Sequence, residues 1–232
     1  MAQRHWRPQL TRREQLRGLV FFALYFLVFP VLKMGVEWFF DHFFGLFLSE
    51  AMSAAVYYLI LGVLTFIVFG SFLKNSLDIL VDFLPENLLA FATGLVGAEV
   101  LQFLVNRLPW PVENPTAPSW AGQYAYSPAA TIVIVVILMP LIDEVLFRGL
   151  VFGSLRRYSR PLAWAITVLL FMLYNVWTFA VAYGEARYLV LAFQYLPMAL
   201  ALTWCYDRGG SIWSAAVLHA VLDAITLFNA VH

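Results

Sequence analysis

Residues 129–155 read AATIVIVVILMPLIDEVLFRGLVFGSL, an apolar run whose only charges are Asp143, Glu144 and Arg148. As one helix the run is long enough to cross the roughly 30 Å of a bilayer's hydrocarbon. Residues 19–36, 51–73, 88–108, 162–182, 188–206 and 212–231 have the same character, the first of them short and interrupted by Pro30. The whole chain follows suit: of 232 residues 62% are hydrophobic and 12% charged, and mean hydropathy is +0.80. Soluble domains carry about 25% charge, so that class is excluded. The fold expected is all-α, one transmembrane domain over residues 1–232, a polytopic bundle of about seven spanning helices. Its net charge of zero argues against a nucleic-acid partner, whose phosphates call for clustered Lys and Arg. Cys205 is the only cysteine, which rules out a disulfide framework.

Two shorter apolar stretches, 38–48 and 77–84, contain Asp41, His42, Asp78 and Asp82 and read as helices lying in the membrane interface. Arg4, Arg7, Arg12, Arg13 and Arg17 make a basic flank that stays on the cytoplasmic side. With seven crossings the inner segments collect ten basic residues, those five with Lys74, Arg156, Arg157, Arg160 and Arg208. The outer ones collect three, Lys33, Arg107 and Arg187. The reading is therefore a multi-pass cell-membrane protein with its N-terminus in the cytoplasm and lipid as its constant partner. No small-residue cleavage site follows the first apolar run, so a removable signal peptide is not expected. Residues 109–128, with Trp110, Trp120, Tyr124 and Tyr126, form the longest connection and belong at the outer headgroups. The Phe-rich stretches 21–29 and 39–47 read as lipid-facing surface, and Cys205 as inert packing.

An ionisable side chain within a span costs several kcal/mol, about 2.5–3.5 by insertion scales, and so marks a functional candidate facing the bundle interior. The rule selects Asp143, Glu144 and Arg148 in the fourth span and His219 and Asp223 in the seventh. It adds Glu99 and Gln102 in the third, Asn175 in the fifth and Gln194 in the sixth. Glu144 and Arg148 are four apart and share a helix face, as do His219 and Asp223. Asp143 stands about 100° round from Glu144. One carboxylate is thus tied to Arg148 and the other is free to meet a neighbouring span, the arrangement that acid–base chemistry needs. At about 1.5 Å rise per residue, Glu144, Asn175, His219 and Asp223 all fall within one layer of the membrane. The plainer alternatives are an ion pair that fixes helix register, a His219–Asp223 clasp, and amides at 175 and 194 that only join helices.

An acidic pair, three residues, then Arg-Gly in one span, Phe-x-x-x-polar in the next and His-x-x-x-polar in the last resembles the CAAX prenyl endoprotease and bacteriocin-processing (Abi-type, CPBP) intramembrane proteases. The resemblance covers about residues 140–223, within a family-like core of 129–231 behind the N-terminal helices of 16–108. It puts the family's glutamate pair on Asp143 and Glu144, its arginine on Arg148, its first histidine on Asn175, and its last His-x-x-x-Asn on His219 and Asp223. What it implies is a site at these six residues that activates water to cleave a peptide bond within the membrane, without metal or cofactor. The implied substrates are prenylated or otherwise membrane-anchored peptides and proteins.

Three positions depart from that pattern. Asp143 is one methylene shorter than the expected glutamate, and a 1 Å displacement can cost about 10²-fold in rate. Asn175 exchanges no proton, and Asp223 puts a negative charge where an oxyanion needs a donor. Three other readings follow from the residues: a catalytically silent relative that binds a membrane peptide or partner as an immunity or assembly factor; a proton relay through Glu99, Glu144 and Asp223 in a small transporter; and a metal held by Asp143 or Glu144 with His219 and Asp223, a set suited to zinc, iron or manganese.

Overall fold

The computed structural model describes residues 9–45 and 50–232, with the side chains at 31, 33–37, 50 and 51 outside the description. Arg4, Arg7 and residues 46–48 therefore fall outside it. Every regular element among the described residues is helical: α1 (12–44), α2 (Glu50–Asp82), α3 (Leu84–Val105), α4 (Thr116–Tyr126), α5 (Pro128–Arg156), α6 (Arg160–Tyr183), α7 (Ala186–Gly209) and α8 (Ile212–Val231). Of these, α2, α3 and α5 to α8 are long and apolar enough to cross a membrane. The chain is an all-α polytopic bundle. The first expected span, 19–36, lies within α1.

Two expectations about the short apolar stretches are corrected. Residues 77–82 do not form a helix of their own but belong to the part of α2 beyond its kink at Phe69, because a polar residue on the outer face of a helix does not break its hydrogen-bond ladder. Likewise residues 38–44 continue α1, which stops at Gly45, in the left-handed region at φ 61°. The Phe-rich stretch 21–29 is not wholly a lipid-facing surface: Phe21 and Tyr25 are buried, and Phe22, Phe26 and Phe29 pack against the core. The 109–128 connection contains a helix of its own, α4.

α1 begins with a capping box, in which Thr11 accepts from the Glu14 amide and Glu14 from the Thr11 amide. The other oxygen of Glu14 reaches across to α2 and accepts from the Phe72 N–H at 2.8 Å. That amide is free because α2 kinks at Phe69 (φ −118°, ψ 21°), next to Gly70-Ser71, the kind of pair at which helices bend. Small residues let the aromatic rings of the kink nest inward. A Cβ on Gly18 would stand 2.7 Å from the Phe69 ring, and one on Gly149 2.8 Å from Phe72.

Proline shapes the helices around the site. A helical proline lacks an N–H and collides with the carbonyl four residues back. Wide i→i+5 turns precede both Pro30, at 24–28, and Pro140, at 133–138, and accommodate that collision. A third wide-turn segment, Glu144–Phe152, follows directly, and such turns are frequent at functional sites. Every residue from Pro140 to Gly153 is buried, so the middle of α5 is enclosed on all sides, as a core helix must be. α8 packs against α2, α3, α4, α5 and α7, which brings His219 to α5.

The two ends of the bundle differ. At one end Gln9 donates to Gly210 O at 2.7 Å, Gln15 to Ser154 Oγ at 2.8 Å and Ser211 Oγ to Ser76 O at 2.8 Å. The start of α1, the end of α2, the α5–α6 turn and the α7–α8 turn thus meet there. At the other end Thr116, at the start of α4, shares a 2.7 Å hydrogen bond with the Tyr195 hydroxyl, and Asn114 donates to Gln194 at 2.8 Å.

Candidate active site in the bundle core

The wide turns of α5 place Glu144 and Arg148 on one face, as their spacing predicts. Glu144 Oε1 accepts from Arg148 Nη1 at 2.8 Å and from His219 Nδ1 at 2.9 Å. A single carboxylate oxygen therefore joins α5 to α8. Arg148 is fully buried; its Nη2 donates to the Ala199 carbonyl of α7 at 3.3 Å, and its guanidinium carbon lies 4.2 Å from the Phe171 ring centroid. Phe171 in turn meets the His219 ring edge-on at 5.6 Å. The second His219 nitrogen, Nε2, is 3.4 Å from Asp223 Oδ2. The hydrogen bond is thus to Glu144, and Asp223 stands at ion-pair distance on the other side of the ring.

Asp143 faces elsewhere. Its Oδ1 accepts from the Tyr25 hydroxyl of α1 at 2.6 Å, in a buried contact, and the Tyr25 ring stacks on Tyr174 of α6 with centroids 4.8 Å apart. The two adjacent carboxylates are thus divided between neighbours, Glu144 to Arg148 and His219, Asp143 to Tyr25. Sequence reasoning missed Tyr25. A tyrosine in an apolar run is unremarkable, and only the packing of α1 against α5 reveals its partner.

Asn175 does not join this cluster directly. It ends the Arg160–Tyr174 segment of α6, and its side-chain amide donates to the Phe171 carbonyl at 2.8 Å. It does line a cleft of about 250 Å³ together with Tyr57, Tyr58, Tyr174, Thr178 and Trp120. Among the described residues no charged side chain lines that cleft. A molecule of liquid water occupies about 30 Å³, so the space has room for several. Glu144 Oε2 is buried without a hydrogen-bond partner among the described residues.

The remaining candidates lie apart. Glu99 is exposed on the outside of α3, which removes it from the relay with Glu144 and Asp223. Gln102 donates to Asn106 one turn on, and Gln194 accepts from Asn114. Among the described residues no group of three or more His, Cys, Asp or Glu side chains is placed to hold a metal ion. Of the carboxylates in that set, Glu144 pairs with Arg148 through Oε1 and Asp143 accepts from Tyr25 through Oδ1. Cys205 is buried against Ser214. A second polar cluster was not anticipated: Asp207 accepts from Arg156 at 2.9 Å and Trp164 at 3.1 Å, and pairs with Arg160 at 2.7 Å. It ties the α5–α6 turn to α7.

The family model described as type II CAAX prenyl endopeptidase, Rce1-like, matches residues 125–225. The matched segment runs from just before α5 into α8 and contains Asp143, Glu144, Arg148, Asn175, His219 and Asp223; Tyr25 lies outside it. No curated protein and no solved structure matches the chain.

Proposed function

We propose that the chain, for which the match over residues 125–225 supports the CAAX prenyl protease (CPBP) family, is an intramembrane endopeptidase that cleaves membrane-anchored or prenylated peptides with activated water. The observation that carries this reading is the junction at Glu144 Oε1, where α5 and α8 bring an acid, a guanidinium and an imidazole into one buried contact beside a second carboxylate, Asp143. Asp143 is the general base. It takes a proton from a water whose oxygen forms a bond to the scissile carbonyl carbon, and the carbonyl electron pair moves onto oxygen. His219 is hydrogen-bonded to Glu144 through Nδ1 and stands beside Asp223 at Nε2; in the reaction Nε2–H turns from Asp223 to the developing oxyanion, a stabilisation often worth about 2.7–4 kcal/mol for a single donor. The C–N bond then breaks as Asp143 returns the proton to the leaving nitrogen. Tyr25 holds Asp143 through Oδ1 and leaves Oδ2 to receive the proton. Arg148 neutralises Glu144 and stays in place throughout.

The test is cleavage of a membrane-anchored peptide by the purified chain in vesicles, with Glu144→Gln, Asp143→Asn and His219→Ala beside it. The expected result is loss of cleavage in all three variants. Equal rates in all four proteins end the proposal.

A second reading, a silent relative that binds a membrane peptide in the same cleft, is favoured by one observation: the Asn175 amide is spent on its own helix and supplies no proton. Asn175→His separates the two. Gained cleavage identifies an enzyme weakened at this position. Binding without cleavage in both proteins identifies the binding role.

A further inference from the structure

Three tyrosines line the cleft: Tyr57 and Tyr58 from α2 and Tyr174 from α6. All three stand within electrostatic reach of Asp143 on α5, and of the three Tyr58 alone is also in reach of Asp223 on α8. The sequence of α2 puts it there. Ala54, Tyr57 and Leu61, three and four residues apart, are buried and mark the face that this helix turns inward, towards α5 and α8. Tyr58 stands at the edge of that face, half-buried. Its ring meets the Tyr57 ring edge-on with centroids 5.0 Å apart, and it packs both against the main core and against the cluster of Ala54, Ile134 and Val135. A hydroxyl on a ring held in this way is placed before the reaction begins, the property that makes a donor effective at developing charge.

The motif residues are short of such donors. Arg148 bonds Glu144 and the Ala199 carbonyl, the Tyr25 hydroxyl bonds Asp143, and the Asn175 amide bonds its own helix. An ionised Asp223 accepts hydrogen bonds and donates none.

We propose that Tyr58 is a catalytic residue of the proteolytic site, its O–H donating a hydrogen bond to the scissile carbonyl oxygen, alongside His219, as that oxygen takes up the electron pair. The proton stays on Tyr58. As Asp143 accepts the proton of water its charge vanishes while charge on the carbonyl oxygen grows, so the better acceptor for the hydroxyl changes from one to the other within the step. The inference rests on the proteolytic reading for its reaction, and it puts part of the oxyanion site on α2, outside the 125–225 segment of the family match.

Tyr58→Phe deletes the hydroxyl and keeps the ring. Cleavage of the membrane-anchored peptide by the full chain in vesicles is one measurement. The other is binding of two uncleavable versions of that peptide, one with a phosphinate at the scissile position, tetrahedral and anionic, and one with a trans-alkene there, planar and neutral. The expected result is a fall in kcat of about 10²-fold, the usual effect of one missing oxyanion donor, with KM and melting temperature little changed. Affinity for the phosphinate peptide falls by a similar factor and affinity for the alkene peptide stays the same. Unchanged kcat overturns the inference, and so does a raised KM at unchanged kcat, which makes Tyr58 a wall of the cleft and nothing more. Equal weakening of both peptides overturns it too. Tyr58→Met, which also lacks the hydroxyl, repeats the comparison if Tyr58→Phe fails to fold. If the unmodified chain cleaves nothing, the proteolytic reading fails, and the two peptides still decide the donor: a preference for the phosphinate that Tyr58→Phe abolishes upholds it, and no preference in the unmodified chain overturns it.

Discussion

Arg148 divides its guanidinium among a carboxylate, a backbone carbonyl and the face of Phe171. Removing one partner of a buried ion pair strands the other, at a cost of about 3–5 kcal/mol. Arg148→Met should therefore lower thermal stability severely. Adding Glu144→Gln should recover a large part of the loss, and a double-mutant cycle by thermal denaturation reads the coupling. Tyr25→Phe removes only the hydroxyl held by Asp143 and keeps the ring on Tyr174. It should reduce kcat by about 10-fold to 10²-fold, as small misplacements of a reacting group do, with KM and melting temperature little changed. The sequence made Glu144, Arg148, His219 and Asp223 legible because charge inside an apolar run is conspicuous. Tyr25 and the direction of Asn175 were not legible: a tyrosine costs little in such a run, and an amide can turn to its own helix or away from it with equal ease.

At the scale of elements, the kink of α2 and the enclosed middle of α5 depend on one another. Phe72 lies over Gly149 with no room for a methyl group. Gly149→Ala should destabilise the fold by about 1–3 kcal/mol, the usual consequence of overpacking a core, and Phe72→Leu should relieve it; unfolding of the single and double variants in detergent measures both. The spans themselves could be read from hydropathy, the last one, 212–231, to the residue. The kink was not readable, because Gly70-Ser71 permits a bend without requiring one. Nor was the continuity of 77–82 with α2, since interrupted hydrophobicity says where a helix meets water and not where it stops.

At the scale of the whole molecule, the cleft is lined by uncharged side chains among the described residues. An ion taken from water without a partner incurs a large desolvation cost. A lysine or glutamate placed next to the scissile bond of an otherwise cleaved peptide should depress kcat/KM far more than a serine or valine there, and competition between paired peptides measures the difference. The consecutive wide turns of α5, at 133–138 and 144–152, also hold surplus length in the ladder. Deleting one amino acid, Val151 for instance, would let the backbone rewind to the ordinary pitch while whatever lies beyond the deletion keeps its facing, because the wide turn gives up the residue it had absorbed. The same excision in an ordinary helix such as α8 would turn everything beyond it by about 100°, so this part of the backbone should bear the loss of one residue better than its neighbours do.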